Sequence, residues 1–364
     1  MLKHKSYKFR IYPTEAQKVL LNKTFGCVRF VWNYNVECFN NNVTDNVLSI
    51  KELRVEHSFL KEVSFTALQQ KERDFLEFKK QYFNKSRKKL LWRPSFKKKC
   101  IYNQYRLPNT KFSLSATHIK IEKIGKIKVV VDRKIPETAK YLSVTISKKP
   151  CGHFYASVCV EEDVLPKIKT HQKVGIDLGI KTFATQSDKV EIANPKFLVK
   201  SQDKLRRLQR IFSKKLKGSR RRERFRYKIA RLYEKITNQR LHFLHTYTTE
   251  LVTMYDVIVI EDLSVEAMLK NKNLSKSISD ASWRLFRSLL TYKADWYGKK
   301  LIVVDRYFAS SKTCRCGYVK QDLKLADRQW VCPSCKVRND RDLLASINIL
   351  EEGLRITSVG VDAD

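Results

Sequence analysis

Long apolar runs, glycine, proline and acidic residues are all scarce in this chain of 364 residues, and each shortage closes off a class of protein. No stretch approaches the ~18 consecutive apolar residues of a membrane-spanning helix; the densest runs, such as Val257–Ile260, are strand-length. Ten Gly and eight Pro are too few for a low-complexity chain, and 43% hydrophobic residues suffice for real cores. The basic N-terminus, MLKHKSYKFR, is followed by no apolar signal core, which points to a cytoplasmic protein. Acids number 37 against 74 Lys and Arg, a formal net charge of +37. So large a surplus, with no membrane segment, points to nucleic acid as the partner. At ~100–200 residues per domain, the length implies two or three domains.

Along the chain the hydrophobic period changes. Residues 6–12 alternate aromatic or apolar with cationic side chains, a half-buried strand that Pro13 stops. Thr14 and Gln17 have capping-box spacing for a helix starting near Glu15. Helical periodicity runs from there to about Phe83, carried at first by Leu20, Leu21, Phe25, Val28, Val31 and Trp32. Between Tyr105 and Glu161 short alternating strands suit a small barrel or sandwich, with which the N-terminal strand can pair; the helices are then an insertion. After a polar connector at 167–173, an α/β unit begins at Val174.

Three acidic segments stand out. Lys173–Thr185, KVGIDLGIKTFAT, reads as an apolar strand broken by Asp177 between two glycines. A carboxylate there needs a hydrogen bond, a charge partner or a cation, and Gly175 and Gly179 leave room for another backbone. Asp256–Leu263, DVIVIEDL, reads as a parallel strand buried on both faces that ends in Glu261 and Asp262. Ligands of open α/β sheets lie beyond such strand ends, although Asp262 also suits a helix N-cap. Asn339–Leu350 reads as a helix start with Asp340 or Asp342 in its first turn, where an acid can also simply complement the helix dipole. Three such acids offer oxygen ligands for two Mg²⁺ or Mn²⁺ ions, the equipment of phosphodiester hydrolysis.

Two basic stretches accompany them. Residues 79–99 carry ten Lys/Arg and no acid, with aromatics interleaved; the candidate nucleic-acid contacts are Lys88, Lys89, Trp92 and Arg93, and the alternative is a solvated linker. Residues 196–240 hold eighteen Lys/Arg against three acids, with helical apolar spacing interrupted at 217–219. This reads as a cationic helical hairpin whose contacts are Lys214, Lys215, Arg220, Arg221, Arg222 and Arg224. Of nine cysteines, four fall between 314 and 335 as C-R-C-G and C-P-S-C. Cys314, Cys316, Cys332 and Cys335 have the pattern of a zinc ribbon holding a structural Zn²⁺, with a first knuckle one residue short.

Taken in order, YKFRIYPTEAQ, RLPNTKFSL, KIGKIKV, GIDLGIKTFAT, KGSRRRERFRYKIARLYEKITNQR, VIVIEDLSVEAM, SKSISDASW and YKADWYGKKLIVVDRYFASSKTC resemble the TnpB (OrfB) proteins of bacterial and archaeal insertion sequences. Those are RNA-guided DNA endonucleases related to the type V CRISPR effectors. The resemblance implies a multidomain α/β chain: a wedge-like β-barrel at 1–13 and 100–170, a helical recognition lobe at 14–99, a RuvC/RNase H-like nuclease domain at 171–308 and 340–364, and a zinc ribbon at 309–339. It implies Asp177, Glu261 and Asp342 as the Mg²⁺-binding catalytic acids, with Asp340 structural. A guide RNA from the element's own end and double-stranded target DNA with a flanking motif are the implied partners, in the bacterial or archaeal cytoplasm at the nucleoid. The family's Asn two residues after the last acid is Leu344 here. That change and the short knuckle keep an alternative open, a nuclease-weak RNA-guided DNA-binding protein or repressor.

Overall fold

The computed structural model describes residues 1–42, 47–84, 93–99, 103–323 and 327–359. They form two compact units: Leu2–Asp163 with Arg226–Arg231, and Met1 with Val164–Phe225 and Leu232–Asp364. Sheet and helices of the N-terminal half therefore share one unit, and the four-cysteine segment 314–335 belongs to the other. Lys88, Lys89 and Trp92 lie outside the described residues; Arg93 is exposed.

The first unit is built on a seven-stranded antiparallel sheet. Its central strand, Leu2–Tyr12, pairs along most of its length with Phe154–Asp163 and at its end with Gly125–Val130. Alternation places Tyr7, Phe9 and Ile11 in the core and turns His4, Ser6, Lys8 and Tyr12 to the surface. The edge strands, Gln104–Pro108 and Phe112–Leu114, follow each other across the single turn Asn109–Lys111, so the sheet curls to within one turn of closing. Helix Glu15–Asn40 starts on the expected capping box: Thr14 accepts from the Gln17 amide, and the Gln17 side chain accepts from the Thr14 amide. Leu21, Phe25 and Val28 bury its apolar stripe, and helices Ile50–Glu56 and Phe65–Tyr82 complete that core.

The second unit carries a five-stranded sheet in the order 191–193, 182–186, 173–178, 257–261, 300–304. The last three run parallel and the first two antiparallel. Here one expectation is corrected. Residues 173–185 are not one strand but a tight hairpin, Lys173–Leu178 and Thr182–Gln186, closed by the Gly179 amide donating to the Phe183 carbonyl at 3.2 Å. A largely apolar segment hides a turn when residues on both of its arms are buried, as Ile176, Phe183 and Ala184 are.

Helices cover both faces of this sheet. Val174, Ile176, Ile258 and Ile260 pack with Leu244, Tyr247 and Leu251 of helix Arg220–Met254 and with Trp283, Phe286 and Leu290 of helix Trp283–Tyr297. Val259, Ile302 and Val304 face the other way, against Ile349 of helix Arg341–Val359. That helix lies on the strand backbone. A Cβ on Gly175 would stand 2.2 Å from the Ser346 carbonyl oxygen and 2.7 Å from Leu350, so only glycine admits the approach.

Candidate active site

The period-two geometry of a strand decides where the acids go. Ile176 and Ile260 are register partners of neighbouring parallel strands and share one face. One residue further on, Asp177 and Glu261 must turn to the opposite face, the one covered by helix Arg341–Val359. Asp342 lies in that helix's first turn. Asp340 is the cap: its carboxylate accepts from the Asp342 and Leu343 amides at 3.1 and 3.0 Å, leaving the Asp342 side chain unused by the helix.

Asp177 feels the charge of the other two acids. Burial pushes the Asp177 carboxyl up to about 7, reinforced by the charges of Asp342 and Glu261 and opposed by Arg341 and Arg328. Burial, with Asp262 alongside, pushes Glu261 up to about 6. A pocket that raises carboxylate pKa values in this way is short of positive charge at its centre. Tight groupings of metal-ligand atoms among the described residues span no more than 4.8 Å, and the three carboxylates are not such a grouping. Their hard oxygen donors fit Mg²⁺ or Mn²⁺.

Arginines surround the acids. Nη1 of Arg328, just before the ribbon's second knuckle, reaches both Asp342 carboxylate oxygens at 3.0 and 3.1 Å. Asp262 is not a helix cap: it accepts from Arg287 and Arg306, which hold its carboxyl below the usual carboxylate range. These three arginines escaped sequence reasoning because each partner is 14 to 44 residues away and no spacing rule links them.

Sulfur geometry is tighter. The Sγ atoms of Cys314, Cys316, Cys332 and Cys335 all lie within 4.8 Å of one another. The pairs Cys314–Cys335 and Cys316–Cys332 are each 3.6 Å apart, near the ~3.8 Å edge of a tetrahedron with ~2.3 Å Zn–S bonds. The shortened knuckle still makes its turn: the Gly317 amide donates to the Cys314 carbonyl at 2.9 Å and the Cys314 amide to that of Tyr318 at 2.8 Å. Against the effect of burial, the Cys316 backbone N–H, then Cys335 and Asn339, whose Nδ2 lies 3.6 Å from Cys314 Sγ, draw the Cys314 thiol down to about 7. The cluster could hold a zinc ion. Leu344 is buried against Cys314, Cys332 and Trp330, so it anchors the four-cysteine cluster to the last helix rather than facing the acids.

Of the cationic hairpin, Lys214, Arg220, Arg221 and Arg224 are exposed at or beside the turn between helices Phe197–Ser213 and Arg220–Met254. Arg222 and Lys215 are half-buried; Arg222 donates to the Lys215 carbonyl at 2.7 Å and lies over the Phe212 ring at 4.2 Å, which ties the turn together.

Comparison with known proteins agrees with this architecture. A family model described as a probable transposase, OrfB of the IS605 group, matches residues 157–272. The TNB domain of Cas12f1-like proteins matches 283–349, which includes the four cysteines. A helix-turn-helix model of the same OrfB group matches 1–37, residues that here form one strand and one helix. The class so defined is that of the transposase-associated OrfB proteins. A Streptomyces pristinaespiralis protein named as a candidate RNA-guided DNA endonuclease is 36% identical over 98% of this chain and 91% of its own length. Escherichia coli InsQ, named in the same way, is 29% identical over 99% of this chain and 95% of its own length. The chain belongs to the TnpB (OrfB) family. Its fold resembles a solved Cas12f1 chain, from a complex with guide RNA and target DNA, at a TM-score of 0.56 and 11% identity over 96% of this chain and 98% of that one.

Proposed function

We propose that this protein is an RNA-guided, Mg²⁺-dependent DNA endonuclease of a transposable element, with Asp177, Glu261 and Asp342 as its metal-binding acids in a RuvC/RNase H-like domain. The observation that carries the reading is the placement of Asp177 and Glu261 one residue beyond the partnered Ile176 and Ile260 of adjacent parallel strands, on the face covered by the helix whose first turn holds Asp342. A five-stranded sheet with three parallel strands and two antiparallel ones, packed by helices on both faces, supports that reading. The family membership, the relatives' names and a net charge of +37 support guide RNA and double-stranded DNA as partners.

Divalent ions held by these acids would make water a better nucleophile and stabilise the departing oxygen. The chain supplies the rest. Asp177 and Glu261 come from adjacent strands of a packed sheet and Asp342 from a capped helix, so the three oxygen sets are held on rigid elements. In the hydrolysis, the water oxygen bonds to phosphorus as the bond to the leaving sugar oxygen breaks, and that oxygen takes a proton. Sequence choice would come from guide pairing, while the cationic surface recognises backbone and duplex geometry. The four cysteines would hold the structural zinc. The protein is assigned to the bacterial or archaeal cytoplasm, at the nucleoid.

Protein purified with its RNA tests this. A discrete RNA species should copurify, and target DNA carrying the flanking motif should be cut in Mg²⁺ but not in EDTA. Asp177→Ala should abolish cutting with RNA binding retained; undiminished cleavage by that variant contradicts the assignment.

A further inference from the structure

The first unit holds a groove of about 430 Å³ that no part of the proposed nuclease chemistry uses. All of its walls fall within Leu2–Asp163 and Arg226–Arg231, so that unit builds it alone. Arg10, Lys18, Lys148 and Arg231 line it, and among the described residues no carboxylate does. The size falls within the ~300–1,000 Å³ of small-ligand pockets and has room for one nucleotide.

The fold brings these cations together on fixed elements. Strand Phe154–Asp163 runs between strands Leu2–Tyr12 and Lys140–Lys148. Arg10 is the register partner of Tyr155 and Lys148 that of Phe154, so the two cations flank one strand end. Tyr227 and Arg231 come from helix Arg220–Met254, four residues apart and therefore on one face.

Most of this charge is not spent inside the protein. Lys18 is paired with Glu15 at 2.6 Å. Arg10 lies against the Tyr12 and Tyr155 rings at 5.2 and 5.7 Å, and neither it nor Arg231 has an ion-pair partner among the described residues. Lys148 donates to the neutral Asn22 side chain at 3.0 Å. Burial and the positive charges of Arg226, Lys18 and Lys99 hold its ammonium below the ordinary lysine value. With the Lys18–Glu15 pair set aside, Arg10, Lys148 and Arg231 remain uncompensated around the groove. Like charges crowded into a half-enclosed site are relieved by an anion. A phosphodiester brings one negative charge, whereas a phosphomonoester brings nearly two at neutral pH.

We infer that this groove binds a phosphomonoester, the group carried by a free nucleoside monophosphate or by the phosphorylated end of a nucleic-acid strand. Arg10, Lys148 and Arg231 hold the phosphate. The exposed Tyr12 and the half-buried Tyr227 offer rings to the attached sugar or base. None of the three proposed metal-binding acids takes part, so this binding stands or falls apart from the nuclease reading.

Lysine acylation read by peptide mass spectrometry gives a local readout, with the exposed Lys149 next to Lys148 as internal reference. In the full-length protein freed of copurifying nucleic acid, saturating uridine monophosphate should slow Lys148 acylation by about ten-fold and leave Lys149 unchanged. Uridine should have no effect, and the methyl ester of uridine monophosphate, a diester, should be needed at about ten-fold higher concentration. Arg231→Gln, at an exposed position, should raise the concentration of uridine monophosphate required by about five-fold. A tetrauridylate with a terminal phosphate that protects at lower concentration than the mononucleotide assigns the groove to a strand end; the reverse order assigns it to the free nucleotide. Equal protection by the diester, or loss of Lys149 reactivity together with that of Lys148, overturns the inference. So does a Lys148 left unprotected at millimolar uridine monophosphate, or an unchanged titration in Arg231→Gln.

Discussion

Asp177 bears an ionisation cost that its surroundings set. Its carboxyl sits at about 7 in the fold against an ordinary 3.8, so the stability it contributes is complete below about 3.8 and is lost as pH rises through about 7. In EDTA, Asp177→Asn should therefore stabilise the protein by on the order of 2–4 kcal/mol at pH 8, and by less at pH 5. Urea unfolding at the two pH values measures this; a variant less stable than the parent at pH 8 contradicts the account. Divalent ions bind the ionised carboxylates, so the melting-temperature rise produced by Mg²⁺ or Mn²⁺ should grow between pH 5.5 and 8. It should be lost in Asp177→Asn. A rise that is flat with pH would place the ion at other ligands.

At the scale of elements, the site depends on how closely the last helix lies on the sheet. Gly175→Ala would put a Cβ 2.2 Å from the Ser346 carbonyl, which must push helix Arg341–Val359, and Asp342 with it, off the strand. We expect a loss of about 3 kcal/mol, at the upper end for overpacking. Gly26→Ala is the control, since its nearest neighbour is the end of the Arg29 side chain at 3.9 Å. Within helix Glu15–Asn40 that change should be neutral or stabilising by up to ~1 kcal/mol. Thermal melts of the two variants separate close approach from helix propensity. Leu344→Asn, which restores the family residue, buries an amide among Cys314, Cys332 and Trp330 and should cost ~1–3 kcal/mol. A stabilised Leu344→Asn protein would show that the position faces the acids after all.

Much of this was legible in the sequence, and what was not has a physical reason. Local rules found the Thr14–Gln17 capping box, the parallel strand at 257–261 and the four converging cysteines, because each is encoded within a few residues, but they left Asp340 and Asp342 undivided in the last helix's first turn. The hairpin inside 173–186 was missed because both arms are buried and its turn borrows apolar Ile180. Arg328, Arg287 and Arg306 were invisible because their partners are brought to them only by the fold. Arg222 was read as a nucleic-acid contact, but much of its hydrogen bonding is spent on the Lys215 carbonyl and its own turn.

For the whole molecule the governing quantity is charge. A chain of net +37 that neutralises 6–10 phosphates should lose ~10³–10⁵ in nucleic-acid affinity between 50 and 200 mM salt. Filter binding or anisotropy across that range measures the slope, and a flat response would remove the electrostatic basis of recognition. The central claim is narrower: three carboxylates from two strands and a helix gather the divalent ions at which a phosphodiester is cut. Crystals soaked in Mn²⁺ and measured at the manganese absorption edge test it most directly. We predict one or two anomalous peaks ligated by Asp177, Glu261 and Asp342 and lost in Glu261→Gln; manganese bound elsewhere, with none at these three side chains, would contradict it.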